Sequence, residues 1–281
     1  MAIDIMHPQT YGDFYAGLNN GIRMPLLGLG VYDMYNAEAE TAIHQAIEIG
    51  YRLIDTAAMY GNEVEVGNAI RQAGIPRSEL FVTTKVNDID QGYDSTLRAF
   101  EVSQKKLNCD YIDLYLIHWP IKNQRQDTWK ALERLYAEKQ VRAIGVANYL
   151  IPFLDELLPN ANFVPVVNQV EFSPYLFLKD LLQRCQTEGI ILQAYTPLVR
   201  GEKFQDPKLI GLAQKYGKSP AQIILRWALQ LGVSTIPKSA NPIRLQENFN
   251  VFDFVISEAD MAFMATFNED YRVIPSPMSM L

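Results

Sequence analysis

Four side chains in the first half of the chain, Asp55, Tyr60, Lys85 and His118, are of types that can hold and pass a proton. Asp55 and Tyr60 share the stretch Tyr51-Arg52-Leu53-Ile54-Asp55-Thr56-Ala57-Ala58-Met59-Tyr60-Gly61-Asn62-Glu63, which reads as a buried strand, a polar loop and a helix opening near Glu63. Lys85 closes the apolar run Leu80-Phe81-Val82-Thr83-Thr84, and His118 closes Tyr111-Ile112-Asp113-Leu114-Tyr115-Leu116-Ile117. A phenol, with a pKa of about 10, is a poor proton donor near neutrality until its anion is stabilised. An ammonium beside it lowers that pKa, and a carboxylate keeps the ammonium charged and fixed. An imidazole can hydrogen-bond a carbonyl oxygen and orient it. Together these groups would protonate an oxyanion as it forms on a carbonyl. They carry no reductant, so a hydride-bearing cofactor is implied.

Taken singly, each residue has an ordinary reading. Asp55 suits an N-cap or turn, and Tyr60 a loop phenol bonded to backbone. Lys85 suits an exposed strand end, and His118, before Trp119-Pro120, a satisfied core histidine. Their shared position separates them from those readings, because each stands at or just beyond the C-terminal end of a predicted strand. In a barrel of parallel strands, that edge is where catalytic groups gather.

The rest of the chain supplies such a barrel. Two short apolar runs flank Asn19-Asn20-Gly21, a hairpin turn. Then strands and helices alternate at roughly 25 to 35 residues per unit, as βα repeats do. The first barrel strand is expected at Pro25–Gly30, followed by a helix at Ala37–Ile49 capped by Gly50. Later units include a helix at Glu63–Gln72, strands at Val141–Ala147 and Val164–Val170, and a helix at Leu176–Glu188. Counting this way gives about eight units, and strands such as Leu114–Ile117 are apolar throughout, as parallel strands covered on both faces should be. No GxGxxG or GxxxxGK[ST] motif follows a strand. The expected fold is therefore a single α/β domain over residues 1–281, a (β/α)8 TIM barrel with an N-terminal β-hairpin closing the bottom. Residues 1–13 are expected to be a leader.

The chain has 281 residues, 48% hydrophobic and 20% charged, which suits a large core and excludes disordered and fibrous classes. A net charge of −7 disfavours nucleic-acid and anionic-membrane partners. The only cysteines, Cys109 and Cys185, have no metal-ligand spacing, so no metal is expected and the setting is a reducing one. No signal peptide or membrane-spanning run is visible, and a cytoplasmic location is expected. Nothing in the sequence demands an interface, so a monomer is expected, with a dimer as the alternative.

Three segments then resemble the signature regions of the aldo-keto reductases: Asp55-Thr56-Ala57-x-x-Tyr60-Gly61-Asn62-Glu63, Thr83-Thr84-Lys85, and Asp113-Leu114-Tyr115-Leu116-Ile117-His118-Trp119-Pro120. The similarity spans about residues 14 to 275. It implies a (β/α)8 barrel that reduces aldehydes and ketones with NADPH, less often NADH, and without a metal. By this resemblance Tyr60 is the general acid and Lys85 depresses its pKa. Asp55 pairs with Lys85, and His118 orients the substrate carbonyl. Asn148 and Gln169 would hold the nicotinamide carboxamide, although Ala147 replaces the usual Ser and removes one hydroxyl contact. Tyr195 would stack on the nicotinamide ring, followed by Thr196, Pro197 and Leu198. Lys238, Ser239, Arg244, Glu247 and Asn248 resemble the adenosine-phosphate end, and the two cations favour NADPH.

Tyr32, Met59 and Trp119 are expected to wall the substrate pocket. Asn87 stands where many relatives carry Trp, which suggests a more open or more polar pocket. The tail after Arg272-Val273-Ile274-Pro275 is too short for a long covering loop, so broad selectivity for small carbonyls is expected. Two rival functions remain compatible with the residues. One is a Schiff-base lyase using Lys85 as nucleophile, and the other is an NADPH-binding sensor or subunit without turnover.

Overall fold

In the computed structural model, residues 14–281 are described, and the expected leader, residues 1–13, lies outside them. The hairpin comprises β1 (Tyr15–Gly17) and β2 (Arg23–Pro25), paired antiparallel across Asn19-Asn20-Gly21. Eight further strands form one parallel sheet in chain order. They are β3 (Leu29–Gly30), β4 (Leu53–Asp55), β5 (Phe81–Val86), β6 (Ile112–Ile117), β7 (Val141–Ala147), β8 (Val167–Glu171), β9 (Ile191–Tyr195) and β10 (Ser234–Thr235).

The sheet closes on itself. Leu27 bridges Thr235 in parallel, Gly28 N donates to Thr235 O at 2.9 Å, and Thr235 N donates to Leu26 O at 2.7 Å. At this seam a Cβ on Gly30 would stand 2.8 Å from Ile236 O, so the close approach requires glycine. The result is the expected (β/α)8 barrel.

Between the strands run α1 (Asn36–Ile49), α2 (Glu63–Gln72), α3 (Tyr93–Leu107), α4 (Arg125–Ala137), α5 (Ile151–Leu157), α6 (Lys179–Thr187), α7 (Pro207–Tyr216), α8 (Pro220–Gln230), α9 (Pro242–Phe249) and α10 (Glu258–Met264). Gly50 ends α1 at φ 124°, where its N–H satisfies Ala46 O and Ile47 O. Ser219 and Gln222 form a reciprocal capping box at the start of α8.

Three expected boundaries move. Pro25 pairs in the hairpin, so the first barrel strand is Leu29–Gly30 rather than Pro25–Gly30. Pro165 has no N–H for a ladder, and β8 begins at Val167 rather than Val164. Before α6 the chain first turns at Ser173, whose Oγ accepts from Tyr175 N and Leu176 N, so the helix starts at Lys179 rather than Leu176.

Strand periodicity sorts the side chains into two cores. Ile54, Val82, Tyr115, Ile117, Ile144 and Leu192 face outward to the helices. Leu53, Phe81, Leu114, Leu116, Ala143 and Val167 fill the barrel, together with Leu18 and Met24 from the hairpin. The hairpin sits at the strands' N-terminal end, where Asn19 Nδ2 donates to Pro165 O and Asn20 Nδ2 to Arg142 O. Stepping two residues up the same inward rows leads from Leu53 to Asp55, from Phe81 through Thr83 to Lys85, and from Leu116 to His118. The bottom of the barrel is therefore apolar and plugged, and its top carries the titratable groups.

Candidate active site at the mouth of the barrel

Lys85 is fully buried, and all three of its N–H bonds are used. Its Nζ donates to Asp55 Oδ1 at 2.6 Å, to Thr56 O at 2.9 Å and to the Tyr60 hydroxyl at 3.4 Å. Asp55 Oδ2 accepts from Gln169 Nε2 at 2.7 Å. The His118 ring meets Tyr60 edge-on, with centroids 5.7 Å apart. The loop carrying Tyr60 is held by buried Asn62, which donates to Val31 O and Met34 O and accepts from Thr56 Oγ1 at 2.6 Å. All four proton-handling residues are thus within one constellation.

Burial pushes the Asp55 carboxyl up and the Lys85 ammonium down, and each is opposed by the partner's charge. Burial and the Lys85 charge hold the His118 imidazole well below its ordinary range, so it is neutral. The Tyr60 phenol departs from expectation. Burial, the Asp55 charge and Tyr32 push it well above the usual phenol value instead of lowering it. Asp55 lies 2.6 Å from Lys85, so Tyr60 faces a nearly neutral pair rather than a free cation. In this state the phenol keeps its proton.

The residues expected at the nicotinamide end surround this group. Asn148, at a left-handed φ of 65°, donates from Nδ2 to His118 O at 2.9 Å and accepts from the Tyr195 hydroxyl at 2.7 Å. Both hydrogens of the Gln169 amide are taken, by Asp55 and by Gln193 Oε1 at 2.8 Å. Thr196, Val199 and Arg200 have φ of 49°, 51° and 50°, which concentrates strained backbone in the loop after β9 and includes Pro197 and Leu198. At the start of α9, Lys238 and Arg244 are exposed and, among the described residues, form no ion pair, while Ser239 is buried. Glu247 lines a shallow groove with Gln222, Pro242, Ile243, Gln246 and Asn250, whereas Asn248 is buried in the helix. The half-buried Tyr195 ring and the Gln169 amide at one end, and Lys238 and Arg244 without an ion pair among the described residues at the other, are groups of the kinds that hold a dinucleotide carrying an extra phosphate.

Among the expected wall residues, Tyr32 is 53% exposed and meets Tyr60 edge-on at 5.1 Å. Met59 is 46% exposed and Trp119 half-buried. Asn87 is engaged locally, its Oδ1 accepting from Asp88 N at 2.8 Å, so part of its polarity is spent on the turn that follows β5. The short tail lies along the rim. Val273 N and Ile274 N donate to buried Glu171 at the top of β8, and Lys122 and Arg125 donate to Leu281 O and Met280 O near the end of β6. Glu171, Asn62, Gln193 and Ser234 were not anticipated from the sequence. The signal for Gln193 was its place two residues before Tyr195 in an inward row. Among the described residues no group of three His, Cys, Asp or Glu can hold a metal, and no helix is long and apolar enough to cross a membrane.

The model of the Aldo/keto reductase family matches residues 27–269. The chain is 50% identical over 265 residues to glyoxal reductase of Bacillus subtilis (strain 168), covering 94% of this chain and 96% of that one. An aldo-keto reductase enzyme from a Medee basin deep-sea metagenome library superposes with a TM-score of 0.91 at 42% identity, covering 93% of this chain and 97% of that one. The Bombyx mori aldo-keto reductase in complex with NADP superposes with a TM-score of 0.86 at 36% identity, covering 93% and 94%. With the barrel, the buried Lys85–Asp55 pair and Tyr60 at its mouth, this chain belongs to the Aldo/keto reductase family.

Proposed function

We propose that the protein reduces small aldehydes, ketones and dicarbonyls to alcohols with NADPH, and that Tyr60 gives the proton. The observation that carries this reading is the Lys85 ammonium in contact with Asp55, Thr56 O and the Tyr60 hydroxyl at the barrel mouth. When bound, NADPH supplies the hydride that reaches the carbonyl carbon. The Tyr60 O–H donates its proton to the carbonyl oxygen as negative charge grows there. Neutral His118 hydrogen-bonds that oxygen and fixes its direction. Lys85 stabilises the phenolate left behind, and Asp55 holds Lys85 in place. A phenol that keeps its proton until an oxyanion develops serves as an acid throughout the neutral range.

Tyr195, Asn148 and Gln169 would hold the nicotinamide end, with Thr196, Pro197 and Leu198 in the adjoining loop. Lys238, Ser239 and Arg244 would hold the adenosine phosphate, beside Glu247 and Asn248. The exposed cations support NADPH over NADH. Tyr32, Met59, Asn87 and Trp119 would form the substrate walls. The exposure of Tyr32 and Met59 favours small, varied substrates, and the similarity to a glyoxal reductase supports including dicarbonyls. A lyase using Lys85 as nucleophile is disfavoured, because that amine is buried with every N–H engaged.

Initial rates with glyoxal, methylglyoxal and benzaldehyde, each with NADPH and with NADH, test the reading. Turnover of several substrates with NADPH preferred is the expected result. NADPH binding without turnover of any carbonyl would favour the sensor instead. One substrate exceeding the rest by several orders of magnitude in kcat/KM would remove the broad selectivity.

A further inference from the structure

Below the mouth, a file of polar side chains crosses three strands of the barrel interior, where apolar residues are the ordinary filling. Ser234 on β10, Gln193 on β9 and Gln169 on β8 stand abreast in the strand register, and all are buried. Gln193 Nε2 donates to Ser234 Oγ at 3.0 Å and lies 4.0 Å from Met24 Sδ. Gln193 Oε1 accepts from Gln169 Nε2 at 2.8 Å, and Gln169 Nε2 also donates to Asp55 Oδ2 at 2.7 Å.

The directions along this file are fixed by chemistry. An ionised carboxylate only accepts, so the edge of Gln169 that faces Asp55 must be its NH2 group. The second hydrogen of that group then needs an acceptor, which is Gln193 Oε1. Gln193 in turn must present its own NH2 to Ser234, whose hydroxyl accepts. With Asp55 on one side and Gln193 on the other, the Gln169 amide can neither flip nor swing. Among the described residues its carbonyl oxygen has no hydrogen-bond partner.

We infer that Gln193, anchored by Ser234, is a positioning residue that locks the Gln169 amide with its hydrogens inward and its carbonyl oxygen presented to the nicotinamide carboxamide. The inference rests on the proposed reading of this mouth as a nicotinamide site. A buried glutamine that merely filled space would influence stability alone. A positioning glutamine influences the nicotinamide end of the cofactor and leaves the adenosine end untouched.

The test is calorimetric titration of wild type and Gln193→Met with two ligands, NADPH and adenosine 2′,5′-bisphosphate, which lacks the nicotinamide. Methionine matches the length of glutamine without its hydrogen bonds. Losing the buried hydrogen bond that holds the Gln169 amide predicts NADPH affinity about three- to tenfold weaker, with the bisphosphate bound as in wild type. Unchanged affinity for both ligands would overturn the inference, and so would an equal loss for both. If Gln193→Met does not fold, Ser234→Ala removes only the anchor. It should show the same split between ligands with a smaller effect, and no split would overturn the inference. Tyr60→Phe keeps the two questions apart: retained turnover in that variant would defeat the proton-donor reading without touching the ligand comparison.

Discussion

Replacing Lys85 by methionine keeps the length and apolar stem of the side chain but leaves Asp55 without its cation. Asp55 is 1% exposed, and its remaining side-chain donor is Gln169. Breaking a buried pair by removing one partner costs about 3–5 kcal/mol, because the surviving charge stays buried. At about 2–4 °C per kcal/mol for a chain of this size, Tm should fall by roughly 6 to 20 °C. The deficit should depend on pH in a defined direction. Without Lys85, burial is opposed only by the Gln169 hydrogen bond, so the folded pKa of the Asp55 carboxyl rises further above its ordinary value. The native state then binds a proton that the unfolded state releases, and stability falls as pH rises through that interval. The loss is therefore largest at neutral and alkaline pH and shrinks on acidification. The double variant Lys85→Met/Asp55→Asn removes the buried charge and keeps an oxygen to accept from Gln169. It should recover about 2 kcal/mol relative to the single variant, lose the pH dependence, and remain without turnover. Thermal and urea unfolding across pH would measure the first two, and the rate of NADPH oxidation the third. If the double variant were no more stable than Lys85→Met, the uncompensated charge would not be the cause and the reasoning would fail.

Other positions give independent tests. Burial pushes the half-exposed Asp88 carboxyl up from 3.8 to about 6, so its contribution to stability falls as pH rises from 4 to 6. Asp88→Asn should stabilise at pH 7 by about 1 kcal/mol after discounting for solvent screening, with no gain at pH 4. A gain confined to acid would contradict the assignment. A Cβ at Gly67 would lie 2.3 Å from Leu107 O and 2.7 Å from its carbonyl carbon, so Gly67→Ala must separate α2 from the end of α3. It should cost about 2 kcal/mol while leaving kcat/KM per folded molecule unchanged, and an unaltered Tm would refute the contact. Glu171→Ala removes the acceptor of Val273 N and Ile274 N, so trypsin should cut after Arg272 several-fold faster by mass spectrometry. Equal rates would mean that the clasp does not hold the tail.

The barrel was legible in the sequence because its pattern repeats. Each strand and helix pair has the same signals, and parity along β4, β5 and β6 alone sends Asp55, Lys85 and His118 into the interior. What the sequence did not show lies in contacts between distant positions. Asn62 looked like part of a loop, yet its amide ties that loop to Val31 and Met34, residues with no periodic relation to it. Glu171 ends a strand, and nothing near it in the chain indicates that it grips backbone about a hundred residues later. The direction of the Tyr60 shift differs from the sequence expectation for a related reason. A cation was visible in the sequence, but not how completely Asp55 and burial offset it. The first barrel strand starts later than the apolar pattern indicates because Pro25 is paired in the hairpin, and β8 starts later because Pro165 withholds an N–H.

The central claim is that Tyr60 delivers the proton in a carbonyl reduction. Its most direct test is the rate of NADPH oxidation with glyoxal in wild type and in Tyr60→Phe, with NADPH affinity measured for both. The account predicts turnover in the wild type, a loss of at least about a hundredfold in the variant, and equal cofactor affinity. Equal turnover in the two proteins would place the acid elsewhere and contradict the account.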